Sequence, residues 1–255
     1  MSASGPLPPE AFVDRLRTEG LRRYHHAHPF HVLMHEGRLT KFQLQQWVVN
    51  RYYYQTRIPI KDALILAKSE DPAFRRAWVH RIRDQDGDGP DDGGLALWRR
   101  LALAMDIDLD LLTGCTAVLP GVRLACDGYV TLVRDASLLE AVAASLTELF
   151  APDLMTTRIA AWERHYPWVD SQALAYFRGR VSRAAGDAEH ALAFVVAHAT
   201  TPEQQTQCLT ALIRKTDILR HLLDCVYLAY IDTPGEATND RPEPSPVVQQ
   251  RPIAS

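Results

Sequence analysis

Cysteine is scarce and scattered: Cys115, Cys126, Cys208 and Cys225 stand far apart in 255 residues and no two form a CxxC pair. That excludes a zinc ribbon or a sequence-encoded disulfide framework, and leaves reduced, mostly buried thiols as the expectation. Surplus positive charge is also missing. Against 31 acids there are 28 Lys and Arg, for a net charge of -3 and a pI near 6.4. A protein that holds nucleic acid or anionic membrane through bulk potential would be basic, so neither partner is expected. No apolar stretch approaches the roughly 20 residues of a membrane span, and the opening MSASGPLPPE has no basic or apolar region of a signal, so a cytoplasmic location is expected. Phosphate-binding GxxxxGK[ST], dinucleotide-binding GxGxxG and nucleophile-elbow GxSxG motifs are absent.

Alternation of apolar and polar residues is rare, whereas apolar residues recur every three or four positions, the helical period. An all-α fold follows. Thr40-Lys41-Phe42-Gln43 and Thr201-Pro202-Glu203-Gln204 have capping-box spacing and should each start a helix. The first is expected to run through Trp47, Val48, Tyr52 and Tyr53 until Pro59 interrupts it, with a second helix from there through Leu64 and Leu66. Further helices are predicted near 8–19, 72–85, 93–106, 120–135, 137–146, 148–164, 171–183 and 186–199. The last and longest, about 202–231, carries Leu209, Leu212, Ile213, Leu219, Leu222, Leu223 and Val226 and belongs at the centre of a bundle. One bundle domain over 8–232 is expected, between a flexible 1–7 and a Pro-rich mobile tail at 233–255.

Several side-chain groups bear chemistry. In Tyr24-His25-His26-Ala27-His28-Pro29-Phe30-His31, followed by His35, the i,i+4 pair His31 and His35 suits two metal ligands on one face. Pro29 breaks the run and no HExxH follows, so capping and packing roles are favoured. The loop Asp84 to Gly94 opens like a calcium loop but has Leu95 at the twelfth position, which favours a plain acidic turn with left-handed glycines. Asp187-x-x-His190 is only a fragment of a di-iron motif, and an N-cap Asp187 beside a packed His190 is the simpler reading. Arg51, Tyr54 and Gln55 share a helical stripe; Arg81 with Gln85 and Tyr176 with Arg180 repeat the i,i+4 arrangement, and Met155 stands three before Arg158. Lys215 lies in an apolar helix where a cation is costly without an anionic partner. Taken singly these read as snorkelling or paired side chains.

Together with YHHAHPFH, QQWVVNRYYYQTRIPIKDA, RIRDQDGDGPDDGG, LPGVRLACDGYV, SLTELFAP, HYPW and AYFRGRVS, in that order, they make the chain resemble the PqqC family of pyrroloquinoline quinone (PQQ) synthases over about 8–231. The resemblance implies a compact helical bundle like those of haem oxygenase and thiaminase II relatives, a homodimer, and a reaction without haem, metal or bound cofactor. It implies the final step of PQQ biosynthesis: ring closure and eight-electron oxidation of the bicyclic precursor AHQQ, with O2 as acceptor and hydrogen peroxide as a product.

By matched position, the resemblance places Tyr24, His25, Arg51, Gln55, Lys61, Arg81, Thr147, Glu148, Arg158, Tyr176, Arg180 and Lys215 around the pocket. Arg51, Arg81, Arg158 and Lys215 would meet carboxylate and quinone oxygens, with Tyr54 and Tyr129 against the rings. Tyr176 and Arg180 would stand near oxygen, and His25 would move protons. Two positions depart from the family. Gln85 replaces the His before Asp-Gly, and Met155 replaces a pocket His of some relatives. Gln hydrogen-bonds but shuttles no proton at neutral pH, which keeps a second expectation open: a weakened PQQ- or AHQQ-binding protein. A di-iron or haem oxygenase is the third, on incomplete ligand sets.

Overall fold

The computed structural model describes residues 5–232; the tail expected at 233–255 and the first four residues lie outside them. Among the described residues there are helices and no strands. Twelve α-helices follow one another: α1 (Pro9–Arg23), α2 (Pro29–His35), α3 (Lys41–Ala67), α4 (Pro72–Trp78), α5 (His80–Asp86), α6 (Gly93–Ala104), α7 (Leu109–Thr113), α8 (Pro120–Asp135), α9 (Leu138–Ala144), α10 (Ala151–His165), α11 (Ala175–His198) and α12 (Pro202–Tyr230). Three 3-10 turns, His25–Ala27, Ser145–Phe150 and Ser171–Leu174, join some of them.

The capping boxes at Thr40 and Thr201 form as their spacing requires, with the hydroxyl of each accepting from the backbone N–H three residues on. A third, Ser137 with Glu140, opens α9. Residues 5–7 carry no helix, and both backbone groups of Leu7 are bonded by the amide of Gln205 on α12, at 2.9 and 3.0 Å.

Four boundaries differ from the sequence reading. Helix α3 passes through Pro59 without ending, because the carbonyl Pro59 leaves without a donor is satisfied from another helix. The 72–85 segment splits at Val79 into α4 and α5. Residues 145–150 tighten into a 3-10 turn, so the helix expected from 148 starts at Ala151. Segments 171–183 and 186–199 merge: α11 runs through Gly186, a cost of about 1 kcal/mol against Ala that the buried Ala184, Ala188 and Ala191 offset by close packing. The short α2 and α7 went unpredicted.

Helix α12 is the axis, packed on α1, α3, α8 and α9, with Leu212, Leu222, Leu223 and Val226 fully buried. A second core centre is aromatic: the ring centroids of Trp47, Trp98, Trp162 and Phe177, from four helices, lie 5.6 to 6.4 Å apart where they meet. Between these two centres α10 and α11 pack closely on each other while α3 stands apart from both, which leaves a polar cavity. No helix among the described residues is long and apolar enough to cross a membrane.

Candidate active site

The cavity and its mouth together enclose about 550 Å³ of space between the side chains. Helix α3 sends in Arg51, Tyr54, Gln55 and Ile58, one stripe of its surface; the α1–α2 connection adds Tyr24 and His25; the 3-10 turn after α9 adds Thr147 and Glu148. From α10 come Ala151, Met155 and Arg158, from α11 Tyr176 and Arg180, and single residues, Trp98 and Leu219, from α6 and α12. Four stretches of chain distant in sequence, 24–25, 51–55, 147–158 and 176–180, thus bring ten of the fifteen expected residues to one space.

The other five stand behind that wall. Gln85 is buried and bonded to Gln55. Lys61 donates to Asp62 at 2.6 Å and to Ser145 at 3.3 Å, and Asp62 also accepts from the indole of Trp78 at 3.0 Å. Arg81 lies flat on Trp78, 4.0 Å from its ring centre, and bonds the carbonyl of Asp187. Tyr129 stacks parallel to Tyr54 at 6.4 Å. Lys215 donates to the Tyr54 hydroxyl at 2.9 Å, with its ammonium nitrogen 3.4 Å from the centre of the Tyr129 ring.

Charge in the cavity is unevenly matched. Glu148 pairs with Arg180, which Asp187 also approaches at 3.6 Å. Burial pushes the Glu148 carboxyl up, but Arg180, Arg81 and Lys61 outweigh it and hold it below the usual range. Arg51 and Arg158 have no carboxylate within 4 Å among the described residues; Arg51 lies over the Tyr54 ring at 4.0 Å and Arg158 over Trp47 at 4.9 Å. Burial, with Arg51 nearby, lowers Arg158 to about 9, still cationic at neutral pH. Lys215, fully buried and equally without a carboxylate, is driven well below the ordinary lysine value, first by burial and then by Arg51. His25 is held neutral by burial and by Arg51, Arg158 and Lys215, and its Nδ1 is buried with no partner among the described residues. An anionic group would offset the uncompensated positive charge of such a space.

The histidine cluster resolves into separate duties. His28 caps α2, its Nδ1 accepting from the Phe30 N–H at 3.1 Å while Nε2 donates to Asp224 at 2.9 Å. His31 accepts from Arg158 through Nε2 at 3.1 Å, which leaves Nδ1 to donate to the His25 carbonyl at 3.0 Å. His35 stacks on His31 at 5.8 Å and is lowered to about 4 by burial and by Arg158. Asp187 lies inside α11 rather than at an N-cap and pairs with Arg81 and Arg180, while His190 packs on Phe74 and Trp78. In the acidic loop Gly87 and Gly93 adopt φ of 81° and 78°, the left-handed turn that the spacing suggested. Among the described residues no three His, Cys, Asp or Glu side chains gather as a metal-binding group.

Sequence reasoning missed Trp98, Ile58, Ala151 and Leu219 in the lining, and weighed His31 as a metal ligand where the structure makes it the acceptor for Arg158. Ile58 is four residues after Tyr54 and was legible as part of the stripe. Trp98, edge-on to Tyr176 at 4.9 Å, hides in the apolar LALWRRLALA, where nothing separates a pocket wall from a core residue.

The TENA/THI-4/PQQC family model matches residues 14–224, almost the whole bundle. The chain belongs to this family. Among its relatives, a pyrroloquinoline-quinone synthase of Pseudomonas entomophila strain L48 is 48% identical over 230 residues, covering 90% of this chain and 91% of that one. Another pyrroloquinoline-quinone synthase, from Rhizobium meliloti strain 1021, is 49% identical over 226 residues, 89% of this chain and 88% of its own. In fold, the family likeness extends further. A TenA homologue from Pseudomonas syringae pv. tomato superposes with a TM-score of 0.71 at 14% identity over 89% of this chain and 99% of that one. A domain of unknown function with a heme oxygenase-like fold from Shewanella denitrificans gives 0.72 at 13% identity over 88% and 94%. The expected bundle class is therefore the observed one.

Proposed function

We propose that this chain acts in PQQ biosynthesis as a pyrroloquinoline-quinone synthase, an oxidoreductase that closes the second nitrogen ring of AHQQ and removes eight electrons with O2 as acceptor. The observation that carries the reading is the pair of guanidiniums, Arg51 and Arg158, that face one cavity with no carboxylate among the described residues within 4 Å of them. A ligand with three carboxylates supplies the missing anions, and each contact would be a charge-assisted, directional hydrogen bond. Lys215, one residue layer back behind Tyr54, adds to the same field.

Proton transfer falls to His25. Its unpartnered Nδ1 is free to accept, and the arriving anions would offset Arg51, Arg158 and Lys215 and raise its basicity toward neutrality. Glu148 and Arg180, bonded to each other, hold the far wall, and the Tyr176 hydroxyl stands between Gln55 and the cavity. Met155 offers a sulfur that accepts weakly from Arg158 at 3.8 Å, a soft contact that orients the guanidinium without titrating. In this reading the enzyme is a cytoplasmic homodimer, and the electrons pass from substrate to oxygen without a bound cofactor.

The test is incubation of the purified protein with AHQQ in air, following oxygen uptake and the product spectrum. Several equivalents of PQQ per protein support the enzyme. The second reading, a protein that holds or delivers PQQ, is favoured by Gln85, which has no titratable proton; product that stops below one equivalent would support it.

A further inference from the structure

Pro59 sits in the buried middle of α3, and its ring nitrogen has no proton for the carbonyl of Gln55 one turn back. Left alone, that carbonyl would be a buried acceptor without a donor. Gln85, arriving from α5, fills the gap: its Nε2 donates to the Gln55 carbonyl at 3.1 Å and to the Gln55 side-chain oxygen at 3.2 Å. The Tyr176 hydroxyl donates to the same side-chain oxygen at 2.7 Å. The Gln55 oxygen is thus fully used, and its amide nitrogen, which has no acceptor among the described residues, is the end left for the cavity. Reversing the Gln85 amide would set oxygen against two acceptors, so only one orientation is bonded. Its oxygen then rests against Gly94, where a Cβ would come within 2.4 Å of it.

We propose that Gln85 is a positioning residue whose amide replaces the N–H that Pro59 lacks, and that it thereby carries α3 past Pro59 and presents Gln55 to the cavity as a donor with Tyr176 locked beside it. Both Gln85 protons are committed to Gln55, so its work is done through Gln55 and not on the substrate. The ligand that Gln55 would meet follows from the reading above, a quinone or carboxylate oxygen; the α3 repair itself does not depend on that reading.

A double-mutant cycle tests the repair. Gln85→Leu removes both donors at similar volume and should lower the folding equilibrium constant about 10- to 100-fold, measured by denaturant unfolding. In Pro59→Ala the helix regains its own N–H for the Gln55 carbonyl, so the same Q85L change should cost at least about fivefold less. Equal costs in the two backgrounds would overturn the proposal. Gln85→Glu keeps the shape but donates only when protonated, so its deficit against the parent should shrink as pH falls from about 8 to about 5; a deficit flat in pH would overturn it equally. If Q85L does not fold, the Q85E profile alone decides. For the ligand, PQQ affinity should fall about tenfold in Q85E and be retained in Gln85→His, which keeps an N–H donor. Parent protein that fails to bind PQQ sinks the functional reading and leaves the cycle standing; PQQ binding untouched in Q85E sinks the presentation of Gln55.

Discussion

Replacing Lys215 with Met should make the protein more stable and worse at its work. Lys215 is fully buried on α12 and, among the described residues, bonds only the Tyr54 hydroxyl and has no carboxylate within 4 Å. Its folded-state value lies well below 10.5, so between that lowered value and 10.5 the unfolded chain carries a proton that the folded chain has released. Stability contributed by this group therefore climbs as pH rises through that window, by up to about 1.4 kcal/mol per pH unit, and is smallest below it. Met fills nearly the same volume without the penalty. Replacing a buried charged group by a well-packed apolar one is worth about 1–4 kcal/mol, and loss of the Tyr54 bond takes back about 1, so a net gain of about 1–3 kcal/mol is expected. At this chain length that is an increase in Tm of about 2–4 °C per kcal/mol, with a flatter stability curve on the alkaline side. Binding should move the other way. Lys215 would reach the ligand only as charge from behind Tyr54, so its loss costs about 1 kcal/mol, or roughly fivefold in affinity for PQQ. Calorimetric unfolding at several pH values and titration with PQQ supply both numbers. A K215M protein that melts below the parent, or that binds PQQ as tightly, would refute the reasoning.

His31→Leu removes the neutral acceptor that holds Arg158 from behind, so PQQ affinity should fall about tenfold, while His31→Gln, which keeps an acceptor, should recover most of it; equal losses in both variants would count against the role given to His31. Thr201→Ala deletes one half of the capping box of α12 and should cost about 1 kcal/mol, read as a Tm drop of about 2–4 °C, with PQQ binding unchanged because the cap lies outside the cavity lining.

The residues that were readable in the sequence are those whose duty repeats along one helix. Arg51, Tyr54 and Gln55 share a stripe of α3 because helical spacing requires it, and Tyr176 with Arg180 do so on α11. Apolar periodicity and two capping boxes likewise announced α3 and α12. What spacing does not carry is which helix faces which. That Lys61 reaches Ser145, or that Arg81 turns to Asp187, depends on contacts across 84 and 106 positions of chain respectively, and neither is a pattern in the sequence. Pro59 shows the limit most clearly. Read locally it ends a helix; in the fold, one amide from α5 lets the helix pass, and the misread boundary and the position of Gln85 have the same cause. The 3-10 turn at Ser145–Phe150 was invisible for a related reason, since its composition suits an α-helix and only packing between α9, α11 and α12 tightens it.

A crystal structure of the protein with PQQ bound is the most direct test of the central claim, that unpaired cations from separate helices converge to hold a small polycarboxylate. Carboxylates of the ligand within hydrogen-bond distance of Arg51 and Arg158, with Gln55 donating through its nitrogen, are expected. PQQ seated outside this cavity, or inside it with both guanidiniums turned away, would contradict the account.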